Sequence, residues 1–380
     1  MLKVALIHDH LAQDGGAEKV LEVISSMFPQ AVIYTLLYDK EKVKKRFQGR
    51  QIESSIIQKL PWGVKRYKWY LSLMPMAVEF FDLREFDLVI SDTSSFAKGV
   101  ITLPDTPHIC YCHTPTRYLW SDTHQYINEL KYNKYFKKII SLVLNRLRVW
   151  DYVAASRVDH FISNSETVKK RIEKYYRRSS EVIYPPVNVD KFYSSDLSHQ
   201  KKEDQYFLAG CRLAPYKRID ILIEAFLDLG EDYKLKVFGD GVDLKRLKKL
   251  AKNAKNIEFL GRVNSQQLAK LYSQAQAYLN PQEEDFGITV IESLASGRPV
   301  IAYSKGGALE TVKNKESGLF FHQQNKEAVK EVLKEFKQKT ESGQLIWDSN
   351  NIRKEALKFK TDNFKEAIRQ FIIKKTNYNL

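Results

Sequence analysis

Cysteine is scarce: Cys110, Cys112 and Cys211 are the only three in 380 residues. An odd number in a chain this long argues against a disulfide framework and for a reducing compartment. Long apolar runs are missing too. No segment approaches the roughly 20 residues needed to cross a bilayer, and the opening run Val4-Ala5-Leu6-Ile7 is too short for the apolar core of a secretory signal. The expectation is a cytoplasmic protein, free or peripheral on the cytosolic face of a membrane. Low-complexity tracts and short-period repeats are absent from the sequence. No companion His or Cys at ligand spacing lies near Cys110 and Cys112, so no metal and no cofactor are expected. Acidic residues are in deficit, 46 against 61 Lys and Arg, for a formal charge of +15. That excess favours an anionic partner, whether nucleic acid, anionic lipid or a phosphorylated substrate, without choosing among them.

What is present is enough apolar residue (43%) for sizeable cores, and enough length for two domains. Short β-branched runs alternate with helical patterns, which signals parallel α/β units. Val4–Ile7 is followed by Gly15-Gly16 and an amphipathic stretch from Ala17 to Phe28. Further strands are expected at Ala31–Leu37, Asp87–Asp92, His108–Cys112 and Phe161–Ser165. Pro185-Pro186 and a polar stretch to Asp204 then read as a connection. Alternation restarts at Tyr206–Gly210 and Leu235–Gly239, and continues at Ile257–Leu260, Ala277–Asn280, Pro299–Tyr303 and Gly318–Phe321. Helices are expected at Ile219–Leu229, Asp243–Lys252 and Thr361–Lys375. The fold class is α/β: two doubly wound Rossmann-like domains in tandem, with facing strand ends forming a cleft. The expected divisions are 1–184, 185–358 and a terminal helical segment 359–380.

Several groups carry chemistry. Gly15 and Gly16 lie between a strand and a helix, where backbone N–H groups can approach an anion; an ordinary tight turn fits them as well. Arg212 and Lys217 follow a strand and can hold a diphosphate, or form a solvated basic loop. Glu284 and Glu292 can grip two ends of a sugar donor, although surface or capping carboxylates share that spacing. His113, at the end of a strand, can hydrogen-bond a substrate; a structural His is at least as common.

Together these pieces resemble the retaining, GT-B-fold enzymes of glycosyltransferase family 4, from Met1 to about Phe321. The block Asn280-Pro281-Gln282-Glu283-Glu284-Asp285-Phe286-Gly287-Ile288-Thr289-Val290-Ile291-Glu292 looks like the family's E-x7-E motif. Gly297-Arg298-Pro299-Val300 and Gly306-Gly307-Ala308-Leu309-Glu310 follow it. Ser163-Asn164-Ser165, Tyr184-Pro185-Pro186-Val187 and the Arg212–Arg218 loop match further signatures.

The resemblance implies that Arg212 and Lys217 bind the donor diphosphate, that Glu292 holds the ribose and that Glu284 faces the sugar. Phe286, Gly287, Ile288 and Thr289 would lie beside sugar and phosphate, and the backbone around Arg262 would read the base. It also implies that Gly15-Gly16 reaches across from the first domain, that His113 stands near the sugar, and that the terminal helix returns to the first domain. Tyr111–Trp120 is similar to bacterial mannosyltransferases of surface polysaccharides, which implies mannose from GDP-mannose. The catalytic set expected is His113, Glu284, Arg212 and Lys217, acting with retention and without a metal.

For the acceptor, the basic aromatic segment Lys59–Tyr70 holds no acid, and on a helix Trp62, Arg66, Trp69 and Leu73 would share a stripe. With Lys65 and Arg117 they are the candidates for an anionic membrane surface or a polyprenyl-diphosphate-linked glycan; an ordinary core helix with snorkelling Lys and Arg fits equally. Lys131–Arg148 is a second basic stretch without acids. The rivals are a sugar phosphate synthase or nucleotide-sugar epimerase of the same fold, an inactive donor-binding scaffold and a basic nucleic-acid-binding protein. No recognised nucleic-acid module supports the last, so nucleic acid is not an expected partner.

Overall fold

Parallel strands organise both halves of the chain. The computed structural model describes residues 2–13, 15–130, 132–193 and 205–378. The end of the expected connection (194–204) and Lys131 therefore lie outside the described residues. The chain divides into two units, Met1–Pro186 with Phe364–Leu380, and Val187–Asn363.

The first unit is built on β1 (Val4–His8), β2 (Val32–Thr35), β3 (Ile52–Ser54), β4 (Leu88–Thr93), β5 (His108–Cys112), β6 (His160–Ser163) and β7 (Ser180–Val182), in the order β3-β2-β1-β4-β5-β6-β7. Pairing is parallel throughout this sheet. Side chains alternate across a strand, and β1 shows the consequence. Val4 and Leu6 join a core with Val20, Leu21 and Ile24 of the helix Gly16–Met27. Ala5 and Ile7 join another with Leu144 and Leu147 of the helix Lys134–Ser156. With both faces covered, the strand reads as a continuous apolar run. The terminal helix Thr361–Thr376 lays Phe364, Ile368, Phe371 and Ile372 against the Val4 and Leu6 face.

The second unit holds β8 (Phe207–Gly210), β9 (Leu235–Phe238), β10 (Ile257–Gly261), β11 (Tyr278–Asn280), β12 (Val300–Tyr303) and β13 (Gly318–Phe321), in the order β10-β9-β8-β11-β12-β13. In each sheet the chain order reverses beside the first strand, between β1 and β4 and between β8 and β11. In sheets of this kind the loops leaving such a strand pair diverge, and ligands bind in the crevice outside the carboxyl ends.

One expected helix is not found. Trp62 lies in a turn with φ 53°, and Tyr67–Leu73 forms a 3-10 helix interrupted at Tyr70. Pro61 and Gly63 flank Trp62, and both disfavour a continuous α-helix. The side chains of the stripe nevertheless meet in part: the Arg66 guanidinium lies 4.4 Å from the Trp69 ring and 5.7 Å from the Trp62 ring.

Candidate active site

In the second unit the reversal between β8 and β11 brings two loops together. Pro215–Lys217 makes a short 3-10 turn, and Arg218, in the left-handed region, starts the helix Ile219–Leu229. This turn directs Lys217 at Glu284, beyond β11, and its Nζ donates to Glu284 Oε1. Gln282 Nε2 donates to the same oxygen at 2.8 Å. Burial alone would lower the Lys217 pKa, but the Glu284 charge overrides it and raises the pKa, so the ammonium form persists. Arg212 Nη2 donates to the Tyr216 hydroxyl at 2.8 Å, within the same loop.

Glycine makes the Glu284 loop possible. Gly307 N–H donates to Glu284 O at 2.8 Å, and a Cβ on Gly306, itself at φ 66°, would come within 2.2 Å of that carbonyl. Gly287, at φ 93°, opens the helix Ile288–Ala295, so Ile288 and Thr289 occupy its first turn, where backbone N–H groups lack helical partners. Phe286 is buried against Phe359, their rings 5.3 Å apart. Glu292 lies inside that helix, buried, and accepts from the Tyr272 hydroxyl at 3.3 Å. Arg262 is mostly exposed and pairs with Asp240 at 3.2 Å. Lys217 and Glu284 are thus in contact, whereas Glu292 and Arg262 have separate partners.

In the first unit His113 follows β5, and its Nε2 lies 2.6 Å from Asp92 Oδ1 at the end of β4. His8, ending β1, reaches the other oxygen of Asp92 at 3.0 Å. Burial would lower the His8 pKa, but the Asp92 carboxylate beside it brings it up to about 9. Burial would raise Asp92, and the two histidines instead hold it below the ordinary carboxylate range. Next to them, Asp9 accepts from Thr93 Oγ1 and from the backbone N–H groups of Ser94, Phe96 and Ala97, at 2.7–2.9 Å.

A third polar group holds the loop after His113. Asp151, buried in the helix Lys134–Ser156, accepts from Lys98 Nζ at 2.5 Å, Thr116 Oγ1 at 2.9 Å, Trp120 Nε1 at 2.7 Å and Tyr176 OH at 2.9 Å. Arg117 pairs with Asp122 at 2.7 Å. Gly15 precedes the helix Gly16–Met27, but its N–H donates to Glu18 Oε2 at 2.9 Å. One of the donors that a Gly-Gly loop would offer an anion is thus already used by a carboxylate of its own helix.

Sequence reasoning missed His8, Asp9, Asp92, Lys98, Asp151 and Gln282. The signal for the first three was available: titratable residues at the ends of β1 and β4, the strands flanking the reversal. Lys98 and Asp151 are 53 residues apart and gave none. Among the described residues no group of three His, Cys, Asp or Glu is placed to hold a metal.

The sequence matches the family described as Glycosyltransferase Family 4 over residues 15–191, and Glycosyl transferases group 1 over residues 194–353. It is 24% identical over 286 residues to the alpha-1,3/1,6-mannosyltransferase ALG2 of Dictyostelium discoideum, covering 65% of this chain and 66% of that protein. It is 33% identical over 157 residues to the O-antigen chain mannosyltransferase RfbU of Salmonella typhimurium, covering 39% of this chain and 43% of that one. The chain spans between 43% and 66% of the length of the curated relatives it matches first. Its fold is that of Anabaena HepE, solved in complex with UDP-glucose, with a TM-score of 0.71 at 18% identity over 98% of this chain and 99% of that one.

Proposed function

From the premise that this chain belongs to the GT-B glycosyltransferases of family 4, we propose that it transfers a hexose with retention from a nucleotide sugar to a glycan or lipid-linked glycan, without a metal ion. The observation that carries this reading is the Lys217–Glu284 pair at the reversal between β8 and β11, where Glu284 opens the E-x7-E stretch. Charge develops on the leaving diphosphate, so the main chemical task is to meet it with fixed cations and backbone donors. Lys217, Arg212 and the first turn of Ile288–Ala295 are proposed for that task. Glu284 is proposed to orient the sugar through its hydroxyls, with Gln282 and Lys217 holding the carboxylate in place. Glu292 is proposed for the ribose, and the backbone around Arg262 for the base. His113 is proposed as the first unit's hydrogen-bonding group for the sugar.

Mannose from GDP-mannose is the proposed donor, supported by the names of two relatives, ALG2 and RfbU. HepE was solved with UDP-glucose, so the nucleotide is the first thing to test. Purified protein is screened by thermal shift against GDP, UDP and ADP and their sugars, with and without a chelator. Stabilisation by GDP and GDP-mannose in chelator supports the proposal. Selective stabilisation by UDP or ADP discards the mannose donor, and a requirement for metal discards metal independence. A folded protein that responds to no nucleotide refutes the transferase reading.

The acceptor is proposed to be polyprenyl-diphosphate-linked and met at an anionic membrane surface. Supporting this, Tyr135, Ile139, Leu142, Val149 and Val153 are exposed at helical spacing on Lys134–Ser156, and Trp62 and Trp69 are exposed beside Lys65 and Arg66. No helix among the described residues is long and apolar enough to cross a membrane. Binding to anionic but not neutral vesicles at low salt is expected; absence of such binding refutes the surface.

A further inference from the structure

Three titratable side chains meet at the carboxyl ends of β1, β4 and β5, and the transfer reaction as proposed uses one of them. Asp92 is buried and lies between two rings, with Oδ1 2.6 Å from His113 Nε2 and Oδ2 3.0 Å from His8 Nδ1. The contact with His113 is an aligned hydrogen bond. The contact with His8 is an ion pair lying outside hydrogen-bond alignment, although its distance is short. The His8 side chain is 4% exposed and that of His113 is 12% exposed. The Tyr111 ring lies edge-on to His113, with centroids 5.3 Å apart.

A carboxylate only accepts hydrogen bonds, so His113 Nε2 carries the proton. His8 meets the far oxygen of the same carboxylate. Its other charged neighbours are Asp9 and Glu18, and His10 stands next to it. Stability alone gives little reason for such a cluster, since a buried ion pair is often no better than apolar packing.

We propose that Asp92 and His8 are positioning residues for His113. Asp92 fixes the ring with its proton on Nε2, His8 braces the far oxygen of Asp92 and so sets the carboxylate's orientation, and Nδ1 is left to accept a hydrogen bond from a sugar hydroxyl. This inference rests on the reading of His113 as a sugar-contacting residue.

The test is nitrogen NMR of protein labelled at histidine, near neutral pH, with His113→Gln used to identify the His113 signals. The expected result is an unprotonated Nδ1 and a protonated Nε2 on His113. In His8→Gln the two His113 nitrogens no longer hold one fixed tautomer and kcat falls by roughly tenfold or more, while the KM for the nucleotide sugar changes little. A purely structural role would lower stability without moving the tautomer. A proton on His113 Nδ1 in the unsubstituted protein overturns the proposal, as does His8→Gln with unaltered signals and rate. Should the variant fail to fold, the tautomer in the unsubstituted protein still decides. Nucleotide binding with the wrong tautomer removes only this inference, whereas absence of any nucleotide binding removes the transferase reading.

Discussion

Replacing Lys98 by Met tests whether Asp151 organises the first unit. Both side chains are 1% exposed, and they form an ion pair at 2.5 Å. Removing one partner of a buried pair leaves an uncompensated charge and typically costs about 3–5 kcal/mol. Here Asp151 would keep three donors, from Thr116, Trp120 and Tyr176, which places the expected loss near the lower end, about 3 kcal/mol. Many buried pairs recover when both partners become apolar. This one is not expected to, because Asp151→Leu would strand those three donors, each costing roughly 1–3 kcal/mol when unpaired. The double variant Lys98→Met/Asp151→Leu should therefore be no more stable than the single one.

The assay is urea unfolding followed by tryptophan emission. Trp120 bonds Asp151, and Trp150 lies 6.0 Å from the Lys98 ammonium, so both report on this unit. Burial would lower the Lys98 pKa, and Asp151 raises it instead. Its contribution is thus fully present below its ordinary 10.5 and lost only as pH rises through the folded value, so neutral pH is suitable. A loss below about 1 kcal/mol in the single variant, or recovery in the double one, would refute the reasoning.

Lys217→Ala is expected to lower kcat/KM by roughly 100- to 1,000-fold, about 3–4 kcal/mol, in a sugar-transfer assay with the nucleotide sugar found to bind; a loss under about tenfold contradicts the diphosphate role. His8, at about 9 in the folded protein against an ordinary 6.5, adds stability that is complete below 6.5 and disappears as pH rises through 9. Melting temperature should fall across that interval, and His8→Gln should flatten the fall. Phe371→Ala should destabilise the first unit by about 3–5 kcal/mol and leave the unfolding transition of the second unit in place, as resolved by differential scanning calorimetry.

The strands with continuous apolar runs were legible, because a sheet covered on both faces writes its burial directly into the sequence. β3 and β7 were not. Ile52-Glu53-Ser54 and Ser180-Glu181-Val182 are short edge strands with a charged residue at the centre. Lys217 and Glu284 were legible through the loops that carry them. The partners that hold them and their counterparts were harder to read, since a Gln, a Lys or an Asp on a distant element has no periodicity to mark it. Trp62 illustrates the opposite error. The spacing Trp62-Arg66-Trp69 suits a helix, but Pro61 and Gly63 decided the backbone, and the rings found each other by another route.

The terminal helix has a consequence for synthesis. Phe371 and Ile372 complete a core that begins at Val4, yet they emerge only after residues 187–363 have been made. At about 5–20 residues per second, that interval lasts roughly 10–35 s. Throughout it the first sheet is assembled with part of one apolar face uncovered, while the second unit is itself folding. The vulnerable period of this protein is therefore set by the ribosome's progress through the second unit, and slowing translation there should raise aggregation of a unit whose own codons are untouched.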